Sequence, residues 1–266
     1  THGPSHRSEG KAYAARTTVY MDATRPCTAS VGESLLTRIS EPLDLVLRSA
    51  EWFGEQLCLA FEKSMTEFIA STGGGTRTVS DVWGHSLELL WGEAEDNPLR
   101  AVEEELSRRW AAILDGWSGA SATRIRLESR RIRGMVHECF PRTEQPVPAM
   151  SVHSPDLQII ARSAENVEAG DYQVVLGELH ACLATLEMPA VESGVGTVMA
   201  PVVRDSINRA LGTNRTVPLF PSGWRRNTGR VKPARIGTGE TGIGFTNAVA
   251  ADPERVVPAS RILLTD

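Results

Sequence analysis

The sequence predicts an α+β fold, with a helical N-terminal half (residues 16–145) followed by a mixed, strand-rich half (residues 146–266). Three observations predict it. Between residues 42 and 139, apolar side chains recur at spacings of three and four, the period of a helix that buries one face. After Pro148 the pattern changes to short β-prone runs punctuated by Gly, Pro and Asn. Within that second half, one strand–helix–strand pattern carries the most informative polar residues of the chain: His153-Ser-Pro-Asp-Leu157 at one end and Val175-Leu-Gly-Glu-Leu-His180 at the other.

Thr17–Met21 is a short β-prone run that leads into Asp22, Arg25 and Pro26. From Pro42 to about Ile69 the residues Leu43, Val46, Leu47, Ala50, Phe53, Leu57, Phe61, Met65 and Phe68 form one apolar stripe. Pro42 belongs to the first turn of this long helix, because proline fixes a helical φ where no N–H partner is needed. Gly73–Gly75 ends it. Val79–Trp91 reads as a second helix. Asn97 caps a third, which starts with Pro98 and has Leu99, Val102, Leu106, Trp110, Ile113 and Trp117 as its inner stripe. A fourth runs from about Thr123 to Cys139 and is stopped by Pro141.

In the second half Leu157–Ala161 reads as a strand, Ser163–Gly170 as a short capped helix and Tyr172–Leu176 as the next strand, with the polar groups at the run ends where loops present them. A helix is expected near Val203–Leu211, and strands at Val217–Phe220, Val231–Ile236 and Ile243–Val249. Residues 1–15 are polar and unpatterned, a disordered segment or linker. Arg261–Asp266 reads as a strand interrupted partway, so the chain is taken as a segment of a longer protein. No internal repeat is evident.

The 266 residues, 41% hydrophobic, suffice for one large domain or two small ones. A net charge of −5 excludes a globally basic nucleic-acid binder, so a polyanion would have to meet a local patch. Cys27, Cys58, Cys139 and Cys182 lie far apart with no CxxC spacing, which argues against a disulfide framework or zinc site and fits a reducing cytoplasm. No run approaches the ~18 apolar residues of a membrane span, and no secretory hydrophobic segment opens the chain.

Each motif has a bland reading beside the functional one. Asp156 could be a turn former after Pro155, and His180 a satisfied core histidine. Gly237-Thr-Gly-Glu-Thr-Gly242 matches GxGxxG, but β-like residues follow it where a dinucleotide site needs a helix, so it reads as a turn. Arg124, Arg126, Arg130, Arg131 and Arg133 form the densest basic cluster. Helical spacing puts Arg126, Arg130 and Arg133 on one face and turns Arg131 aside, which makes either a phosphate-binding stripe or a solvated face paired with Glu128. Trp224-Arg225-Arg226, with Arg230, Lys232 and Arg235, is a second basic segment or simply a charged loop. Asp22 and Arg25 make either a local ion pair or a fork that orients a polar substrate. Neither a Ser-His-Asp order nor a P-loop is present. His153, Glu178 and His180 lack HxxxH and HExxH spacing, so no metal is expected.

These residues resemble the class I lanthipeptide (lantibiotic) dehydratases. Val19-Tyr-Met-Asp-Ala-Thr-Arg-Pro-Cys-Thr-Ala-Ser-Val-Gly32 looks like that family's tyrosine, acid and arginine segment. Pro42–Trp52 looks like the start of its long helix, and Pro98–Trp110 like the next helical signature. His153–Leu157 with Gly170–His180 is the most specific match, and Arg255–Leu263 resembles a strand near the close. The resemblance covers residues 16–266, an internal part of the family's glutamylation region. It implies a tRNA-dependent glutamylation: glutamate passes from glutamyl-tRNA, the co-substrate, to Ser or Thr hydroxyls of a ribosomal precursor peptide, with no bound cofactor. A separate elimination domain or partner, and a cyclase, would act afterwards, and a homodimer is compatible. Asp22, Arg25, His153, Glu178 and His180 take the catalytic positions on that resemblance. Asp156, Arg124, Arg126, Arg130, Arg133, Arg225, Arg226 and Arg230 take the substrate-binding ones. Met21, Ala23, Thr24 and Pro26 depart from the family's doublets around Asp22 and Arg25, which leaves open a peptide–aminoacyl-tRNA ligase or a non-catalytic scaffold.

Overall fold

The computed structural model describes residues 30, 32–92, 94–115, 117, 124–144, 146–181, 202, 205–219, 240–245 and 253–264. The fold is α+β. The chain divides into two units, one formed by Ser30–Cys182 with Ser260–Asp266 and the other by Thr1–Ala29 with Leu183–Ala259.

The first unit is built on helix α1, Glu33–Ser71, against which α2 (Val79–Trp91), α3 (Pro98–Asp115) and α4 (Ser129–Cys139) pack. Its core joins Leu45 and Trp52 of α1, Ile113 of α3, Val136 of α4 and Phe140, all buried. Phe140 is fully enclosed, with its ring edge-on to Trp52 at 5.4 Å and tilted against Trp110 at 5.5 Å. The end of α4 is held by side chains from its neighbours. Arg48 Nε donates to the Phe140 carbonyl at 2.9 Å, and Arg109 donates to the Cys139 carbonyl while its guanidinium lies over Trp52 at 4.3 Å. These bonds take up carbonyls that have no partner within the helix. A second cluster of Met65, Val82 and Leu89 joins α1 to α2. Two short strands, β1 (Arg77–Thr78) and β7 (Leu263–Leu264), pair antiparallel beside it.

Three expectations for the helices need correction. α1 starts nine residues before Pro42, so the proline lies inside it. An interior proline removes a hydrogen bond and crowds the preceding turn, at a cost of about 3 kcal/mol. Contacts made by the upstream turns oppose that cost. Arg38 donates to the Gly170 carbonyl at 2.8 Å and lies over the Tyr172 ring at 4.5 Å, and Glu41 pairs with Arg133 at 2.5 Å. α4 starts at Ser129 rather than Thr123, because Arg124-Ile-Arg-Leu-Glu128 alternates polar and apolar residues with a period of two and is not helical. Trp117 lies past the end of α3, 37% exposed, outside the inner stripe. α2 has the expected bounds. Its Thr78 and Asp81 form a reciprocal cap: the Thr78 N–H donates to Asp81 Oδ2 at 2.7 Å and the Asp81 N–H to Thr78 Oγ1 at 3.3 Å.

After the short 3-10 turn Pro148–Ser151 come β2 (His153–Ile160), α5 (Ala164–Glu168, capped by Ser163) and β3 (Gln173–Ala181). β2 and β3 pair antiparallel. Both strands are longer than predicted, and the polar motif residues lie within them rather than in flanking loops.

In the second unit residues 205–211 are helical, with Ile207 buried. β4 (Arg215–Leu219), β5 (Glu240–Gly244) and β6 (Val256–Pro258) form a parallel sheet in that order, flanked by 3-10 turns at Pro253–Arg255 and Ala259–Arg261. Glu240, at the start of the central strand, pairs with Arg215, and its carbonyl accepts from Arg255 at 2.8 Å. Glu240–Gly242 is therefore strand rather than turn. No helix follows within residues 240–245, as a dinucleotide site would require. The strand expected at Val231–Ile236, residues 1–15 with the Thr17–Met21 run, and residues 246–250 lie outside the described residues.

Candidate functional site

The β2–β3 hairpin brings the two polar motifs together. Ser154 pairs with His180 and Pro155 with Leu179, yet Leu157 pairs with Leu176. Asp156 alone on β2 thus faces both Gly177 and Glu178 on β3, a two-against-one bulge. Ser154 and Asp156 share a face of β2, as Glu178 and His180 share a face of β3, because side chains two apart on a strand point the same way. The result is a cluster of three ionisable groups. His180 Nε2 lies 3.2 Å from Glu178 Oε2 and 3.5 Å from Asp156 Oδ2. Glu178 is exposed, while Asp156 and His180 are partly buried.

The His180 nitrogen is itself shielded from solvent and makes no hydrogen bond among the described residues, despite the two carboxylates beside it. The ligand-capable atoms of Asp156, Glu178 and His180 all fall within 4.8 Å of one another.

His153 belongs elsewhere. Three residues from Asp156, it falls on the other face of β2, half-buried and in electrostatic reach of Glu51 on α1. Burial pushes its pKa below the ordinary histidine value, because an imidazolium there loses hydration, and Glu51 opposes the shift in part. Glu51 is in turn 3.5 Å from Arg142. The four residues that the motifs present together are thus a cluster of three and a separate histidine.

The basic residues are not a single stripe. Arg124 and Arg126 are exposed on the non-helical segment before α4. Arg130 binds Glu128 at 2.8 Å, Arg131 approaches the same carboxylate at 3.5 Å, and Arg133 binds Glu41. Pairing with Glu128, one of the two sequence readings, holds for Arg130 and Arg131. Asp22, Arg25, Arg225, Arg226 and Arg230 lie outside the described residues.

One feature had no sequence signal. A cavity of about 570 Å³ between α1 and α2 is lined by Ser64, Glu67, His85, Glu88 and Asp96 among others. In it Ser64 Oγ sits 3.3 Å from His85 Nε2, and the His85 ring stacks on Phe68 at 4.3 Å. Among the described residues no helix is long and apolar enough to cross a membrane.

No family model, curated protein or solved structure matches the chain.

Proposed function

We propose that the chain takes part in tRNA-dependent glutamylation of Ser and Thr in a ribosomal precursor peptide, as the glutamyl-transferring part of a lantibiotic dehydratase. The observation that supports this reading is the convergence, across one bulged hairpin, of the two motifs that carry the family resemblance, with Asp156, Glu178 and His180 gathered on one face.

The reaction is acyl transfer from an ester that is already activated. The hydroxyl oxygen of the peptide attacks the glutamyl carbonyl, the tRNA ribose oxygen leaves, and the hydroxyl proton must be taken up. Such a reaction asks a protein mainly to align the two substrates, to stabilise developing negative charge and to assist the proton transfer. In this proposal the exposed Glu178 positions the attacking hydroxyl and receives its proton, with Asp156 and His180 beside it. Asp22 and Arg25 grip the glutamyl carboxylate or the tRNA terminus, and Arg124 and Arg126 meet tRNA phosphate.

The test is the intact mass of the short peptide encoded beside this protein after the two are co-expressed. Added glutamyl mass, or loss of water where an elimination partner is present, supports the proposal. Another amino acid added to the peptide's end establishes the ligase, and an unchanged peptide that still binds establishes a scaffold. Glu178→Gln should lower transfer at least tenfold with the fold retained.

A further inference from the structure

The position of His180 Nε2 is unusual in either protonation state. With a proton, the nitrogen would be expected to donate along its N–H axis, yet it makes no hydrogen bond among the described residues. Without one, its lone pair sits against carboxylate oxygens of Glu178 and Asp156 at 3.2 and 3.5 Å. Charge-assisted N–H···O bonds are shorter, about 2.7–2.9 Å. Two donors that share one metal ion are spaced differently. Bonds of about 2.1 Å at tetrahedral angles put neighbouring donor atoms about 3.4 Å apart. The distances from His180 Nε2 to Glu178 and to Asp156 lie near that spacing.

We infer that Asp156, Glu178 and His180 form a binding site for one divalent transition-metal ion of the Mn²⁺ or Zn²⁺ kind. One imidazole nitrogen and two carboxylate oxygens suit such an ion, whereas the absence of a thiolate from the set disfavours softer ones. The hairpin supplies the preorganisation. Glu178 and His180 are fixed two residues apart on β3, and the bulge sets Asp156 against them. Three protein ligands leave coordination positions open, and the exposed Glu178 gives the ion a way in. An ion here holds the Nε2 lone pair, so ligation and proton transfer by His180 exclude each other. The site itself does not depend on the glutamylation proposal, because metal binding is measured without substrate.

The experiment titrates Mn²⁺ into the full chain after chelator treatment and dialysis, and follows the loss of the free-ion paramagnetic resonance signal. Zn²⁺ then competes for the same site. One Mn²⁺ bound per chain is expected, with affinity at least tenfold weaker in both Glu178→Gln and His180→Ala and unchanged in His85→Ala. Glu178 is exposed, so its conservative replacement should leave the fold intact, checked by circular dichroism. Binding of equal strength in the wild type and both variants would overturn the inference, as would a wild-type chain that takes up no Mn²⁺.

Discussion

Replacing Phe140 by alanine tests the packing that joins α4 to α1 and α3. Phe140 is fully enclosed, contacts Trp52 and Trp110 ring to ring, and its carbonyl is bound by Arg48. Losing the ring opens a cavity on the order of 100 Å³, which at about 24 cal/mol per Å³ costs roughly 2.4 kcal/mol before the transfer term is added. The two aromatic pairs add about 0.5–1.5 kcal/mol each where their geometry is good. The backbone bond to Arg48 limits collapse into the space, so the loss should fall near the top of the Phe-to-Ala range, about 4–5 kcal/mol. With a urea slope of about 2 kcal/mol per molar, the midpoint of this unit should fall by about 2 M. Tryptophan fluorescence is a direct probe, because Trp52 and Trp110 line the same cluster. Phe140→Leu keeps much of the volume but loses both ring pairs, so it should cost about 1–3 kcal/mol, less than the alanine variant. A loss below 1 kcal/mol for the alanine variant would refute the closed cluster and the anchoring of α4 to α1 and α3.

Further predictions follow from single contacts. Thr78→Ala should destabilise α2 by about 1 kcal/mol through loss of its cap, measurable as a lower thermal midpoint. Asp81, whose carboxyl is held below its usual range chiefly by hydrogen bonds from Thr78, should lose its part of that cap as the pH falls through its depressed folded pKa. His153 gives a pH dependence at milder values. Its folded pKa lies below the unfolded value of about 6.5, so the unfolded chain takes up its proton first as the pH falls. Stability should therefore drop below about pH 6.5 and level off once the folded protein is protonated too, and His153→Gln should flatten that slope in thermal melts. An unchanged slope would place the proton uptake elsewhere. Burial, with Glu55 and Glu62 nearby, pushes the Cys58 thiol up, so iodoacetamide should label it only at more alkaline pH than a free cysteine. Glu62→Gln should speed that labelling.

What was legible in the sequence depended on how local its cause was. α2 could be read to the residue because its start is set by Thr78 and Asp81, three positions apart. The beginning of α1 could not, because its turns before Pro42 are held by Gly170 and Tyr172, more than 130 residues later. Arg124–Glu128 precedes α4 and is not helical, and its two-residue alternation of polar and apolar residues already argues against a helix there. For the candidate site, the motifs marked the two strands on which Asp156, Glu178 and His180 meet but not the geometry of their pairing. Strand periodicity separates His153 from Asp156, whereas the bulge opposite Asp156 is a property of the pairing between strands and has no signature in either strand alone.

The corrected arginine positions change where a polyanion would be met, and this can be measured. Arg130, Arg131 and Arg133 spend their charge on Glu128 and Glu41, and Arg109 binds Glu105 and the end of α4. A phosphate contact at any of these would first have to displace a carboxylate or a carbonyl. Arg124 and Arg126 are exposed on the non-helical segment before α4. On the proposed function, the tRNA affinity of a chain of net charge −5 would have to come from such local groups. Each phosphate contact contributes about 0.7–0.9 to the slope of log affinity against log salt. Arg124→Ala with Arg126→Ala should therefore reduce that slope by about 1.4–1.8 in filter-binding assays with glutamyl-tRNA. Arg130→Ala with Arg133→Ala should change it by less than about 0.5 on the same scale. A larger drop for the second pair would mean that tRNA breaks the intramolecular pairs, and that the α4 face is the contact surface after all.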